Sequence, residues 1–91
     1  MYKITYHPEI PGDLSKIPRN IKDTIRRAIE TRLILNPCLV GEPLRQSLKG
    51  HRKLRVSDYR VIYRIQDDEI IVLKIGHRKE VYDKVFSRLS S

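Results

Sequence analysis

Cationic side chains crowd one stretch of this chain, which runs from Arg45 to Arg64. Seven lysines and arginines lie in it against a single acid, Asp58. They alternate with apolar residues, and that alternation is typical of a β-sheet with one face against a core and the other face open. Guanidinium and ammonium groups on an open face suit a phosphate-rich ligand. With His and Tyr nearby to transfer protons, the pattern points to RNA as a substrate.

The chemistry that these side chains allow is RNA cleavage without a metal. The 2′-hydroxyl attacks the adjacent phosphorus, and guanidinium groups stabilise the negative charge that builds on the phosphoryl oxygens. A base must take the 2′-proton, and an acid must protonate the 5′-oxygen. Histidine is the ready candidate, because its unperturbed pKa is about 6.5 while those of Lys and Tyr are about 10. Five side chains form the predicted catalytic set: His51, Lys53, Arg60, Arg78 and Tyr82.

The other cationic side chains of this region are predicted to contact RNA. They are Arg45, Lys49, Arg52, Arg55, Arg64, His77 and Lys79. His51 and His77 are expected to flank the site, and Tyr82 either stacks on a base or relays a proton. Tyr59 and Tyr63 are better interpreted as amphipathic residues at the edge of the core.

Other kinds of site have little support in the sequence. No grouping of His, Asp and Glu has metal-ligand spacing, so we expect neither a metal nor another cofactor. The single cysteine, Cys38, excludes an internal disulfide and is expected to be a small buried residue. No apolar run approaches the ~20 residues of a membrane span. The N-terminus lacks the apolar core of a signal peptide, so a cytoplasmic protein without a membrane partner is expected.

The elements that must position these side chains follow from hydrophobic periods and turn residues. Alternation predicts four strands, at residues 2–7, 52–56, 59–66 and 70–75. Helical spacing predicts three helices, at residues 11–16, 18–36 and 79–89. Pro37 disfavours helical geometry in the residue before it and should end the second helix. Residues 37–50 are expected to form a loop.

The predicted fold class is α+β, with the whole chain, residues 1–91, in one domain. The element order β-α-α-β-β-β-α gives a mostly antiparallel four-stranded sheet. The last strand should be central, because it is apolar at nearly every residue. Two N-terminal helices should pack on the sheet, with a short C-terminal helix on the same face.

These features resemble the RelE/ParE toxin superfamily, and within it the RelE-type messenger-RNA interferases of type II toxin–antitoxin systems. The resemblance covers nearly the whole chain: the element order, LKG at 48–50, KLRVSDYR at 53–60 and GHRKEVY at 76–82. It implies a toxin of the prokaryotic cytoplasm that cuts mRNA in the A site of the small ribosomal subunit and leaves a 2′,3′-cyclic phosphate. It also implies neutralisation by a cognate antitoxin, with operator DNA bound only through the toxin–antitoxin complex.

Roles carried over from this family fall on the predicted catalytic set. Lys53 matches a functional lysine, Arg60 the strand arginine that contacts phosphate, and Arg78 the arginine before the last helix. Tyr82 matches the C-terminal tyrosine. Position 51 departs from the pattern, because some relatives have a second lysine where this chain has His51. The general base therefore stays open between His51, Lys53 and Tyr82.

Two alternative functions stay open at this point. The same fold serves as a gyrase inhibitor in ParE-type relatives, although those generally lack the full set of Arg60, Arg78 and Tyr82. A catalytically inactive member would act only within an antitoxin complex that represses its own operon. An Arg78→Ala variant would separate these functions. If the protein is the enzyme, the variant should lose growth arrest and still bind the antitoxin. Growth arrest that survives with mRNA uncut would contradict the enzyme.

Overall fold

A computed structural model describes residues 2–45, 48–83 and 85–89 of the chain. The strands are β1 (Lys3–Tyr6), β2 (Glu42–Pro43), β3 (Arg52–Val56), β4 (Tyr59–Gln66) and β5 (Glu69–His77). The α-helices are α1 (Ile10–Leu14), α2 (Arg19–Ala28), α3 (Pro37–Val40) and α4 (Phe86–Leu89). A π-helical turn, Ile29–Leu33, directly continues α2.

The strands form one sheet in the order β1-β5-β4-β3-β2. β1 runs parallel to β5, and the other neighbouring strands are antiparallel. This sheet confirms the predicted α+β class, and β5 lies in its interior as expected. The sheet has one more strand than predicted, because Glu42 and Pro43 pair with Lys53 and Arg52 in a segment expected to be a loop. Proline is tolerated there because β2 is an edge strand.

One face of the sheet, which we call the helical face, packs against α1, α2 and the π-helical turn. Alternate residues of the strands supply this core, with Leu54, Val61, Tyr63 and Val72 fully buried. Opposite them lie the buried residues of the helices: Ile10, Ile25, Ala28, Ile29 and Leu33. Ile25, Ala28, Ile29 and Leu33 follow the helical spacing from which the second helix was predicted.

The opposite face, which we call the cationic face, carries the side chains of β3 and β4 that alternate with that core. They are Lys53, Arg55, Arg60, Ile62 and Arg64. Ile62 is fully buried in a second cluster with Val81 and Val85. These two valines belong to the C-terminal segment, by which we mean residues 78–83 and 85–89. The C-terminal segment therefore covers the face opposite to α1 and α2, and the expectation of all helices on one face was wrong.

The C-terminal helix is shorter than the predicted 79–89. Residues 78–83 form turns in which the N–H groups of Glu80 and Val81 donate to the carbonyl of His77, both at 2.9 Å. α4 begins at Phe86. Val81 and Val85 are β-branched and therefore weak helix formers, and a short isolated helix has a costly nucleus. Burial of the two valines against Ile62 decides the backbone path instead.

The long second helix also differs from its prediction. Its α-helical part ends at Ala28, and the π-helical turn is closed by the N–H of Ile34 on the carbonyl of Ile29 at 3.0 Å. α3 begins at Pro37, whose missing N–H costs nothing in a first turn. Cys38 lies in α3 and is exposed, so the expectation that it is buried was wrong. None of the helices in the described part of the chain has the length and hydropathy needed to cross a membrane.

Candidate functional site

Two arginines oppose each other on the cationic face. Arg55 of β3 is the direct pairing partner of Arg60 of β4, and Arg60 is in turn paired with Gly76 of β5. Arg55 is exposed, whereas Arg60 retains 8% of its accessible surface. Like charges directly opposite in a sheet repel one another. An anion bound between them would relieve that repulsion.

The turn between β3 and β4 fixes Arg60 and Arg78 at the same end of the sheet. Nη1 of Arg60 donates to the carbonyl oxygens of Ser57 at 3.0 Å and Tyr59 at 2.9 Å. The backbone N–H of Arg78 donates to the carbonyl of Asp58 at 2.8 Å, and its Nε lies 3.8 Å from Oδ1 of that residue. The structure thus brings together two of the predicted catalytic side chains, although they are far apart in the sequence.

Lys53 occupies the middle of the cationic face, paired with Ile62 on one side and Glu42 on the other. Its Nζ lies 3.9 Å from Oε2 of Glu42, and the lysine side chain is 27% exposed. Beside it is a groove of about 500 Å³ lined by Glu42, Pro43, Leu44, Arg45 and Lys53. Lys53 and Arg45 therefore both border a groove that opens to solvent.

Tyr82 reaches the cationic face through the C-terminal segment. It is half-buried and packs against the cluster of Ile62, Val81 and Val85. Val81 also lies against Gly76, where an added Cβ would be 3.5 Å from the valine side chain. Tyr82 is therefore held on the same side of the sheet as Arg60 and Lys53.

His51 and Arg64 have polar atoms shielded from water. Both ring nitrogens of His51 and Nε of Arg64 are buried, without a hydrogen-bond partner among the residues that the structure describes. The β3–β4 ladder runs as far as the Arg52–Tyr63 pair, so strand geometry puts His51 and Arg64 next to each other beyond it. Buried polar groups without partners are rare, and a ligand is one source of partners.

Arg52 lies on the helical face and serves the fold. Its Nη2 donates to the carbonyl oxygens of Cys38 at 2.8 Å and Gly41 at 2.7 Å. Its Nε lies 3.4 Å from the hydroxyl of Tyr63, which donates to the carbonyl of Pro37 at 2.6 Å. Burial raises the pKa of Tyr63, although Arg52 acts in the opposite direction. We therefore leave Arg52 out of the proposed RNA-contacting set.

His77 also faces away from the cationic side chains. It pairs with Tyr59, and the two rings meet edge to face with centroids 5.4 Å apart. Its Nδ1 accepts the backbone N–H of Lys79 at 3.2 Å. His77 thus stands beside the chain leading to Arg78 but not beside His51.

Three other predicted RNA-contacting side chains lie outside the helices and strands. Arg45, Lys49 and Lys79 are all exposed to solvent.

A buried ion pair that the sequence did not predict links α1 to α4. Nη1 and Nη2 of Arg88 donate to Oδ2 and Oδ1 of Asp13 at 2.7 and 2.9 Å. Burial acts to raise the pKa of Asp13, but hydrogen bonds from Arg88 and from the N–H of Ile75 bring that pKa below its ordinary value. The hydrogen bond with Asp13 likewise raises the pKa of Arg88 against the effect of burial. No spacing signal connects two residues so far apart in sequence.

A metal site would need several ligand side chains close together. No group of three or more His, Cys, Asp or Glu residues suited to a metal ion occurs within residues 2–45, 48–83 and 85–89.

Similarity to known proteins extends over most of the chain. Residues 4–82 match the family model described as ParE toxin of type II toxin-antitoxin system, parDE. The chain belongs to this toxin family. Toxin RelG of Mycobacterium tuberculosis is 31% identical over 83 residues, which cover 89% of this chain and 95% of RelG. These matches confirm the resemblance to the RelE/ParE superfamily.

Solved structures show the same fold for this toxin. The toxin–antitoxin complex RelBE2 from Mycobacterium tuberculosis contains a chain with a TM-score of 0.79 and 32% identity, covering 85% of this chain and 98% of that one. The RelB–RelE complex from Methanococcus jannaschii gives a TM-score of 0.68 at 25% identity, covering 86% and 94%. The toxin thus shares the architecture of toxins solved together with antitoxins.

Proposed function

We propose that this toxin is an endoribonuclease that cleaves mRNA in the ribosomal A site. The observation that carries the proposal is the direct pairing of Arg55 with Arg60, with Arg78 anchored to the adjacent turn. Three guanidinium groups at one end of a sheet suit a phosphate at which negative charge develops. A fold without an anionic ligand gains nothing from opposing like charges at this position.

The reaction proceeds without a metal in this proposal. The 2′-hydroxyl attacks the adjacent phosphorus as its proton passes to a base, the bond to the 5′-oxygen breaks, and that oxygen takes a proton from an acid. The products are a 2′,3′-cyclic phosphate and a 5′-hydroxyl. Arg60 binds its carbonyl partners through Nη1, so its Nη2 can donate to a phosphoryl oxygen. Arg78 supplies a second donor from the other side of the turn.

The general base is chosen among His51, Lys53 and Tyr82. Lys53 and Tyr82 lie near the middle of the cationic face, and His51 lies at the far end of β3 from Arg55. With a rise of about 3.3 Å per residue, His51 is some way from the arginine pair along the strand. The geometry therefore favours Lys53 or Tyr82 for the proton transfer at a phosphate held by Arg55 and Arg60. His51 and Arg64 would then contact a neighbouring part of the RNA.

The ribosome supplies the positioning that this site lacks. The groove beside Lys53 is lined by charged side chains, Pro43 and Leu44, without an aromatic surface on which a base could stack. A net charge of +8 favours binding to ribosomal RNA. We therefore expect free RNA to be cleaved poorly and ribosome-bound mRNA to be cleaved well.

The partner that neutralises the toxin is, in this proposal, a cognate antitoxin. Related toxins have been solved in complexes with antitoxins from Mycobacterium tuberculosis and Methanococcus jannaschii. The charge of +8 suits an acidic, amphipathic antitoxin segment. Operator DNA would be contacted only through that complex.

The experiment is primer extension on a defined mRNA, with and without programmed ribosomes. The proposal expects cuts within A-site codons when ribosomes are present, and few or none on free RNA in magnesium or EDTA. EDTA belongs only in the ribosome-free reactions, because ribosomes need magnesium. Arrest of growth without any mRNA cleavage would contradict the proposal. A supercoiling assay then tests gyrase inhibition, the second candidate, which the ParE description of the family favours.

A further inference from the structure

The buried Asp13–Arg88 pair joins α1 to α4. Each side chain is 8% exposed, and Nη1 of Arg88 also donates to the carbonyl of Leu73 at 3.0 Å. Oδ2 of Asp13 accepts the backbone N–H of Ile75 at 3.1 Å. Lys74 and Glu9 also belong to this network, at 4.0 Å from Asp13 and 3.6 Å from Arg88.

The network lies along the edge of β5 at which the pairing with β1 ends. β1 pairs with β5 only as far as Tyr6 and Val72. Beyond Val72, Asp13 binds the N–H of Ile75 and Arg88 binds the carbonyl of Leu73. α1 and α4 have five and four residues, so neither helix is stable by itself. The ion pair therefore attaches two short helices to an otherwise open edge of β5.

The segment between β5 and Arg88 carries two predicted catalytic side chains. It leaves the sheet at Arg78, whose N–H is bound to Asp58, forms turns at residues 78–83, and includes α4, which carries Arg88. Val81 and Val85 pack on Ile62 between these anchors, and Tyr82 lies among them. Apolar packing resists separation of the segment from the sheet but permits sliding, whereas a bidentate ion pair fixes direction. The position of Tyr82 thus depends on Arg88 at one end and on the turn at the other.

We propose that Asp13 and Arg88 are positioning residues, which hold the C-terminal segment so that Tyr82 is directed at the RNA bound on the cationic face. This inference rests on the proposed RNA cleavage at that face. Asp13 lies in α1 and acts through Arg88, which it binds with two hydrogen bonds. We call the Asp13–Arg88 pair the clamp. Misplacement of a reacting group by about 1 Å lowers rates by about 100-fold, so loss of this pair should slow the chemical step. RNA affinity should change little, because the arginines that bind phosphate are held by other contacts.

Ribosome-dependent cleavage by clamp variants tests the inference. We expect Asp13→Asn and Arg88→Met to lower kcat by 10-fold or more with KM within about twofold. Arg88→Lys, which keeps the charge, should recover part of the lost rate. Glu9→Gln is the matched control, because Glu9 contacts the same arginine at 3.6 Å with a side chain that is 65% exposed. An equal change in KM with an unchanged kcat would overturn the inference.

A double-mutant cycle separates positioning from general stabilisation. If the clamp acts through Tyr82, Asp13→Asn should cost little further rate once Tyr82→Phe has removed the hydroxyl. Additive losses of rate in the double variant would overturn the inference. A Tyr82→Phe variant as fast as the wild type would also overturn it, since no hydroxyl would then need positioning.

A spectroscopic readout keeps this test separate from the proposed cleavage. The chain has no tryptophan, so Tyr82→Trp introduces a single indole that can be excited selectively over the tyrosines. In that background, Asp13→Asn should shift the emission to longer wavelength and increase acrylamide quenching, while Glu9→Gln should not. Unchanged fluorescence in folded protein would overturn the inference even if RNA is cleaved. If the emission shifts but no RNA is cleaved under any condition, the proposed function fails, and the role of the clamp in catalysis fails with it.

Discussion

Arg55 and Arg60 stand directly opposite each other in the β3–β4 ladder, on the face of the sheet that does not contact α1 or α2. Arg60 is nearly buried and turned towards the carbonyls of the adjacent turn, whereas Arg55 remains exposed. Opposed cations reduce the stability of a sheet, and an anionic ligand bound between them would offset that repulsion. Mutation of these arginines can therefore separate effects on the stability of the fold from effects on the proposed function.

Replacement of Arg55 by Ala should therefore weaken function without weakening the fold. Removal of one of two opposed cations should leave the free energy of unfolding unchanged or raise it by up to about 0.5 kcal/mol. The rate of ribosome-dependent cleavage should fall at least 10-fold. Urea denaturation and primer extension measure the two effects. Arg27→Ala removes the same charge from the exposed surface of α2 and should change neither. A clear loss of stability in Arg55→Ala would contradict this prediction.

Arg78→Ala should separate toxicity from antitoxin binding. The ion pair between Arg78 and Asp58 is exposed, with side-chain exposures of 55% and 68%. Exposed pairs contribute about 0–1 kcal/mol, so the melting temperature should change little. Loss of one donor to the transition state should slow cleavage by about 100-fold or more. Cells expressing the variant should grow, and it should still form a complex with the cognate antitoxin. Growth arrest by the variant with mRNA uncut would refute the enzymatic account.

Two glycines should respond oppositely to alanine. A Cβ at Gly41 would overlap the hydroxyl of Tyr63 and lie 2.9 Å from the carbonyl oxygen of Lys53. Gly41→Ala should therefore destabilise the protein by about 1–3 kcal/mol. At Gly12 in α1 an added Cβ meets nothing within 4 Å, so Gly12→Ala should stabilise by up to about 1 kcal/mol through helix propensity. Urea unfolding curves of both variants provide the check, and a shift of the same sign in both would be the contrary result.

Acid stability should depend on Asp13. Its pKa is lowered in the folded protein, and in the unfolded chain it returns to about 3.9. A carboxyl with a depressed folded pKa contributes stability above the unfolded value, and this contribution is lost as the pH falls through the folded pKa. Asp13→Asn should thus be less stable than the wild type at neutral pH, and the difference should shrink below about pH 4. A difference that stays constant from pH 7 to pH 2 would show that the ion pair is not its source.

The sequence predicted best where local pattern and turn chemistry act alone. The bounds of β3 and β4 were confirmed, because apolar alternation and the Ser57–Asp58 turn define them within a few residues. The shared face of Lys53, Arg55 and Arg60 follows from the same alternation. Their position on one face could therefore be predicted without knowledge of the tertiary structure, whereas their binding of RNA is part of the proposed function.

The remaining differences come from contacts between distant segments. The side of His77 depends on the register of β5, which shifts at an irregularity between Ile62 and Tyr63 of β4. Strand alternation itself places Arg52 on the helical face, but its bonds to the carbonyls of Cys38 and Gly41 depend on where α3 lies. Asp13 and Arg88 are 75 positions apart in the sequence and meet through the packing of α1 and α4. Sequence periodicity carries no information about such pairs.

The measurement that tests the central claim most directly is single-turnover cleavage of mRNA on programmed ribosomes by three proteins. They are the wild type, the Arg27→Ala control and an Arg60→Ala/Arg78→Ala double variant. We expect equal rates of A-site cleavage for the first two and a rate at least about 100-fold lower for the double variant, with its fold intact by circular dichroism. Wild-type cleavage that the double variant matches, or an absence of cleavage by wild-type protein that still arrests growth, would contradict the account.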